Sequence, residues 1–221
     1  MRKLPLIPTI VVACAVAAMI ALGVWQLQRR HEKESLLALY RANQGRAAMT
    51  FPKLAPVPAE AMFRPSSVTC LSVAGWRSEG GRAADGSTGY RHIAECRTGA
   101  EGPGALIDMG VAADPKVKPV WNGGTVSGRI TTEPDHTTIV GHLFGRGHVL
   151  RPMLVADTPA QGLKPSAKPS PDSVPNNHLA YAIQWFFFAA VALLIYVLAL
   201  RRRGRVEIEG KSREDRGAPP A

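Results

Sequence analysis

"LAYAIQWFFFAAVALLIYVLAL", residues 179–200, contains no charged residue. A bilayer-spanning helix needs ~20 predominantly apolar residues. The core helix of a soluble protein this small rarely stays apolar on every face for so long. A second uncharged stretch, "LPLIPTIVVACAVAAMIALGVWQL", occupies residues 4–27. The sequence therefore predicts a membrane α + β protein with transmembrane helices over 6–27 and 178–200, flanking the rest of the chain.

The flanks set the expected orientation. Arg2 and Lys3 precede the first span, and "RRRGR" (201–205) follows the second. Positive flanks are retained in the cytoplasm, so segments 1–5 and 201–221 are expected inside and residues 28–178 outside. Arg29, Arg30 and Lys33 oppose this locally, but long domains translocate largely regardless of charge. The first apolar stretch is longer than a signal-peptide core and runs into "WQLQRR", so it is expected to be retained. A span so near Met1 leaves no room for an organellar transit peptide, which points to a bacterial inner membrane. The net charge of +10 divides evenly, because residues 28–178 hold 18 Lys/Arg against 13 Asp/Glu. No basic run is interleaved with aromatics, so nucleic acid is not an expected partner.

Residues 28–161 are expected to form the exported part. "QRRHEKESLLALYRANQGR" continues the first helix for a few turns until Gly45, and prolines 52, 56 and 58 mark an extended lead-in. Short runs follow at 67–77, 89–97, 104–112, 124–133, 137–144 and 148–157, separated by Gly, Asp and Asn. They predict an antiparallel, barrel-like or sandwich-like β domain. The glycine-rich "GWRSEGGRAADGSTGY" (75–90) reads as a hairpin loop, and 162–177 as a Pro/Ser linker. Cys70 and Cys96 lie in this domain, and two cysteines alone do not reveal a bond. Buried free thiols are the default expectation.

Catalytic chemistry finds little footing. His92, His136, His142 and His148 fall in different strands and turns, and "GHLFGRGH" lacks a usual zinc spacing. Ser66, Ser67, Ser72 and Ser127 lack a Gly-x-Ser-x-Gly turn. A non-enzyme is expected.

The informative residues stand where both spans meet the outer face. One exit reads "GVWQLQRRHEK" (23–33) and the other "NNHLAYAIQW" (176–185). Ala13, Ala17 and Ala21 form a small-residue stripe that would let the spans pack closely. His178, Tyr181, Ala182 and Trp185 share one helical face. Composition alone accommodates an interfacial aromatic belt with His178 as a cap. An imidazole on an aromatic, lipid-level surface also suits the iron of an apolar heme, and Arg29 and Arg30 suit its propionates.

These two stretches, through Gly23, Trp25, Gln26, Arg29 and Lys33 and through Asn176, Asn177, His178, Leu179, Tyr181, Ala182 and Trp185, resemble the signatures of the Surfeit-locus (Surf-type or Shy-type) cytochrome c oxidase assembly factors. The family's usual Arg-Gly-Trp is replaced here by residues around Gly110, in "LIDMGVAAD". The resemblance implies a non-enzymatic assembly factor that transiently binds heme a and assists its insertion into oxidase subunit I. It implies His178 as the axial ligand, with Trp25, Gln26, Arg29, Tyr181 and Trp185 around the cofactor. The implied partners are subunit I, heme a synthase, other oxidase assembly factors and the lipid bilayer. A cofactor-free scaffold that clamps a nascent oxidase subunit is the alternative.

Overall fold

The computed structural model describes residues 5–145 and 147–217, without the side chains of Ile139, His142 and residues 204–217. The described chain forms two compact units, a helical one (5–34 and 176–217) and a β domain (35–175).

The helical unit is built on α1 (Leu6–Gln44) and α3 (His178–Gly217). Both are long and apolar enough to cross a membrane, and only 6% of the most apolar window of each is buried in the protein. Ile7, Val11, Ile183 and Ile195 are all at least 60% exposed. Burying such surfaces in a bilayer is what makes these helices viable. The protein is thus a two-span membrane protein with a β domain.

Helix α1 is shielded along Thr9, Val12, Val16, Met19, Gly23, Gln26 and Arg30, and α3 along His178, Ala182, Trp185, Ala189, Ala192 and Tyr196. The alternation of three and four residues is that of a seam between two helices packed at a shallow angle. Gly23 is buried, and a Cβ there would stand 2.6 Å from the Phe186 ring. Close approach therefore depends on Gly23. Ala13, Ala17 and Ala21 are exposed instead of packed. The small-residue stripe is thus corrected to a different face.

Polar pairs pin this seam at two points. Tyr196 donates to Thr9 Oγ1, whose own hydroxyl donates to the Pro5 carbonyl at 2.7 Å. His178 and Gln26 form the other pair. The pairings make the helices antiparallel. Seventeen residues of α1 and eighteen of α3 separate the pins, about 26 Å at 1.5 Å per residue. That is close to the ~30 Å hydrocarbon thickness of a bilayer.

The β domain holds one seven-stranded sheet in the order β1-β2-β6-β7-β5-β4-β3. The strands are β1 (Met49–Thr50), β2 (Pro65–Cys70), β3 (Ser72–Arg82), β4 (Thr88–Arg97), β5 (Ala105–Ala112), β6 (Gly124–Thr132) and β7 (Pro152–Ala156). The sheet is mixed where a wholly antiparallel one was expected, because β1 pairs β2 and β5 pairs β7 in parallel. Strand β7 returns after a long excursion and inserts between β6 and β5. Central strand β5 is buried on both faces. Ala105, Ile107 and Met109 join the main core with Ile130 and Leu154, while Leu106 joins Ile93, Met153 and Val155.

The stretch 67–77 is divided by a corner at Leu71 between β2 and β3. Stretch 137–144 contains the short helix α2 (Ile139–Leu143) in place of a strand. The glycine-rich stretch is mostly strand, since β3 reaches Arg82 and β4 resumes at Thr88. Its turn is held by Asp85, whose carboxylate accepts from the Ser87 N–H at 2.9 Å, with Gly86 at φ 85°.

Cys70 and Cys96 form a disulfide with Cα atoms 5.3 Å apart, correcting the expectation of free thiols. In a flat sheet β2 and β4 would lie about 19 Å apart, four strand spacings. The sheet must therefore curl, and the Leu71 N–H bonds the Arg97 carbonyl at 2.8 Å beside the disulfide. The barrel-like expectation is met.

The end of α1 belongs to this unit. Asn43 is buried and its side-chain amide donates to the Ala59 and Met62 carbonyls, at 2.9 and 3.1 Å. Arg129 donates to the Gln44 and Phe63 carbonyls, each at 3.3 Å. A cation thus satisfies a carbonyl that the ending helix leaves unpaired. The Tyr40 and Phe63 rings meet edge to face at 5.2 Å.

Candidate functional site

The site is built from the helical seam upward. Gly23 lets α3 approach α1, and Gln26, one turn further along the same face, then reaches the first residue of α3. Gln26 Oε1 and His178 Nδ1 lie 2.8 Å apart. Because Oε1 can only accept, Nδ1 carries the proton and donates. In the neutral ring Nε2 is then the nitrogen with the bare lone pair, and the hydrogen bond to Gln26 leaves that nitrogen uninvolved. The chain enters α3 directly at this imidazole, with the Tyr181 N–H bonding the Asn177 carbonyl at 3.3 Å in the first turn.

Aromatic surface lies on both helices near the pair. Trp25, next to Gln26, is 49% exposed, and Tyr181, one turn beyond His178, is 52% exposed. Trp185 is half-buried and meets Phe188 edge to face at 6.2 Å. Arg29 stacks over the Trp25 ring at 6.0 Å and pairs with Glu32 at 2.8 Å. Arg30 pairs with Glu34 at 2.7 Å. Both pairs are exposed, and such pairs hold with only ~0–1 kcal/mol. The two arginines are therefore engaged but readily exchanged. Asn176 Oδ1 is buried without a partner among the described residues. An unpaired buried acceptor is unusual, and sequence pattern alone gives no signal for it.

His178, Gln26, Trp25, Arg29, Tyr181 and Trp185 thus all lie in the helical unit at one end of its paired segments. Among them the structure directly joins His178 to Gln26 and Arg29 to Trp25. Sequence reasoning missed Phe186, one of three consecutive phenylalanines, and the Tyr196–Thr9 pair, whose two isolated hydroxyls the sequence does not match to each other.

Among the described residues the β domain gathers its histidines into no comparable centre. His92 is buried, its Nε2 has no partner among the described residues, and burial lowers its pKa. His136 pairs with Glu79 at 3.4 Å, and His148 shares a surface pocket with His136 and Phe144. The His142 side chain lies outside the described residues. Among the described residues no group of three or more His, Cys, Asp or Glu is placed to hold a metal ion. Asp108 is buried in β5, where burial raises its pKa, and its Oδ1 accepts from Ser166 at 2.7 Å and from the Gly110 N–H at 3.1 Å. Gly110 itself sits at φ 127°, with the Lys164 carbonyl 2.6 Å from where a Cβ would stand. Glycine is required there because the returning chain bonds directly to β5, Val111 N–H to the Lys164 carbonyl at 2.8 Å.

Two apolar spans flanking a curled, mixed seven-stranded β domain define a membrane-anchored class of protein. The SURF1 family model matches residues 13–190, and the chain belongs to the SURF1 family. That family is associated with cytochrome c oxidase assembly, is linked to heme a oxidases and is not known as catalytic. No individual curated protein is significantly similar to the chain.

Proposed function

We propose that the protein binds heme a transiently at the outer boundary of a bacterial inner membrane and assists its insertion into subunit I of cytochrome c oxidase. Segments 1–5 and 201–221 then lie in the cytoplasm, 6–27 and 178–200 span the bilayer, and 28–161 with linker 162–177 lies in the periplasm. Heme a synthase and other oxidase assembly factors are the expected neighbours.

The hydrogen bond from His178 to Gln26 carries this reading. In the neutral ring this bond leaves Nε2 as the bare nitrogen, the form that ligates iron. The residues present fit such a group. Exposed Trp25 and Tyr181 provide apolar faces for a flat macrocycle, and Arg29 and Arg30 provide cations for its carboxylates. Heme a supplies an iron centre and a long isoprenoid tail that partitions into lipid. A carrier should grip it at the membrane surface, and one axial protein ligand keeps the binding reversible.

The test is co-expression with a heme a pathway, followed by the absorbance of the purified protein. Wild type is expected to carry heme a, and His178→Ala to insert and fold without it. A colourless wild-type protein would favour the cofactor-free scaffold. A His178→Ala protein with its full complement of heme would exclude His178 as the essential ligand.

A further inference from the structure

We infer that Gln26 is a positioning residue that sets the tautomer of His178 without touching the cofactor, an inference that rests on the heme-binding reading. In water a neutral imidazole prefers its proton on Nε2, the nitrogen that an axial ligand must leave bare. The opposite tautomer therefore has to be imposed by an acceptor at Nδ1. Gln26 Oε1, 2.8 Å from Nδ1, is that acceptor. An Nε2–H form would leave the amide oxygen facing a bare Nδ1, acceptor against acceptor, unless the Gln26 amide turned over and gave up the pairing seen here. The half-buried setting strengthens this preference, because little water can repair the mismatch.

The choice of an amide is itself informative. Metal-binding histidines commonly donate to a carboxylate or a carbonyl, and the outer partner tunes ligand basicity. A carboxylate would pull the Nδ1 proton and make Nε2 a stronger donor that holds ferric iron tightly. A neutral amide oxygen fixes the ring while leaving the donor ordinary, which suits a protein that must release its cargo. The position is dictated by packing, because Gln26 follows Gly23 by one turn on the seam. Gly23, in contact with the Phe186 ring edge, permits the helices to come close enough for an amide to span the gap.

The experiment uses the full-length protein in micelles without heme, with ¹⁵N-labelled histidine side chains, at pH 9. Two-bond ¹H–¹⁵N correlation spectra report the tautomer, with the His178 signals assigned by their loss in His178→Ala. Wild type is expected to show protonated Nδ1. Gln26→Leu is expected to shift to protonated Nε2 and to bind added heme a about 10- to 100-fold more weakly. Gln26→Glu, which keeps an acceptor and guards against misfolding of the leucine variant, should retain the wild-type tautomer and lower the reduction potential of bound heme. A wild-type His178 protonated on Nε2, or an unchanged tautomer in a folded Gln26→Leu, overturns the inference. If the tautomer shifts as stated but wild type binds no heme a, the positioning role stands and the heme-binding reading fails.

Discussion

Replacing Gly23 tests the helical seam through the sign of a stability change. On a helix face open to lipid, Gly→Ala should stabilise by about 1 kcal/mol, the difference in helix propensity. At Gly23 the new Cβ would sit 2.6 Å from Phe186 Cε1 and 2.7 Å from Cζ. Carbon atoms pack best at ~3.5–4.0 Å, so the ring edge must retreat by about 1 Å. Overpacking of this kind costs ~1–3 kcal/mol, which cancels or reverses the propensity gain. Gly23→Val gains less propensity and adds two more methyl groups, so its net destabilisation should be about 2 kcal/mol. The same displacement would stretch the 2.8 Å Gln26–His178 bond beyond ordinary hydrogen-bond length. The assay is reversible unfolding in mixed micelles by SDS titration, read by far-UV circular dichroism. The expected order is Gly above Val, with Ala not above Gly, and Phe186→Leu should restore both variants by vacating the ring position. An alanine variant about 1 kcal/mol more stable than wild type, or no rescue by Phe186→Leu, would refute the close contact.

Three further outcomes follow from other parts of the molecule. The Cys70–Cys96 bond closes a 26-residue separation, so chain-entropy reasoning gives it about 3.5 kcal/mol. Urea unfolding of the β domain should shift by that amount on reduction, and a superimposable curve would argue against the bond. Burial raises the Asp108 pKa above its ordinary 3.8. The native carboxyl then holds its proton where the unfolded one has lost it, so this stabilisation is complete below pH ~4 and lost as pH rises through the native pKa. Asp108→Asn should therefore gain stability over wild type progressively above pH ~4 and lose that advantage below, and a pH-independent difference would contradict it. Thr9→Val and Tyr196→Phe should show a coupling of about 0.6 kcal/mol in a double-mutant cycle of hairpin unfolding, whereas additive effects would mean the hydroxyls do not meet.

The two spans were legible because nothing in an uncharged stretch of that length competes with the bilayer reading. Their packing face was not. On a helix that is apolar all round no hydrophobic contrast marks the inner side, so Ala13, Ala17 and Ala21 looked as suitable as the true seam through Val16, Met19 and Gly23. Period-two patterning exposed β4 through β6 but carried the β-branched "TTIV" (137–140) into a strand reading, where the chain forms α2. The disulfide was hidden because only the curl of the sheet brings β2 to β4. Gln26 was singled out by resemblance, yet its partner could not be read from a sequence that places His178 so far away.

The central claim is that the imidazole of His178 is the nitrogen donor to heme a. Pulsed EPR of the purified ferric complex, prepared with ¹⁵N-labelled histidine, measures that donor directly. A ¹⁵N hyperfine coupling from one axial imidazole is expected in wild type, disappearing in Gln26-intact His178→Ala. The same coupling surviving in His178→Ala would assign the iron to another residue and contradict the account.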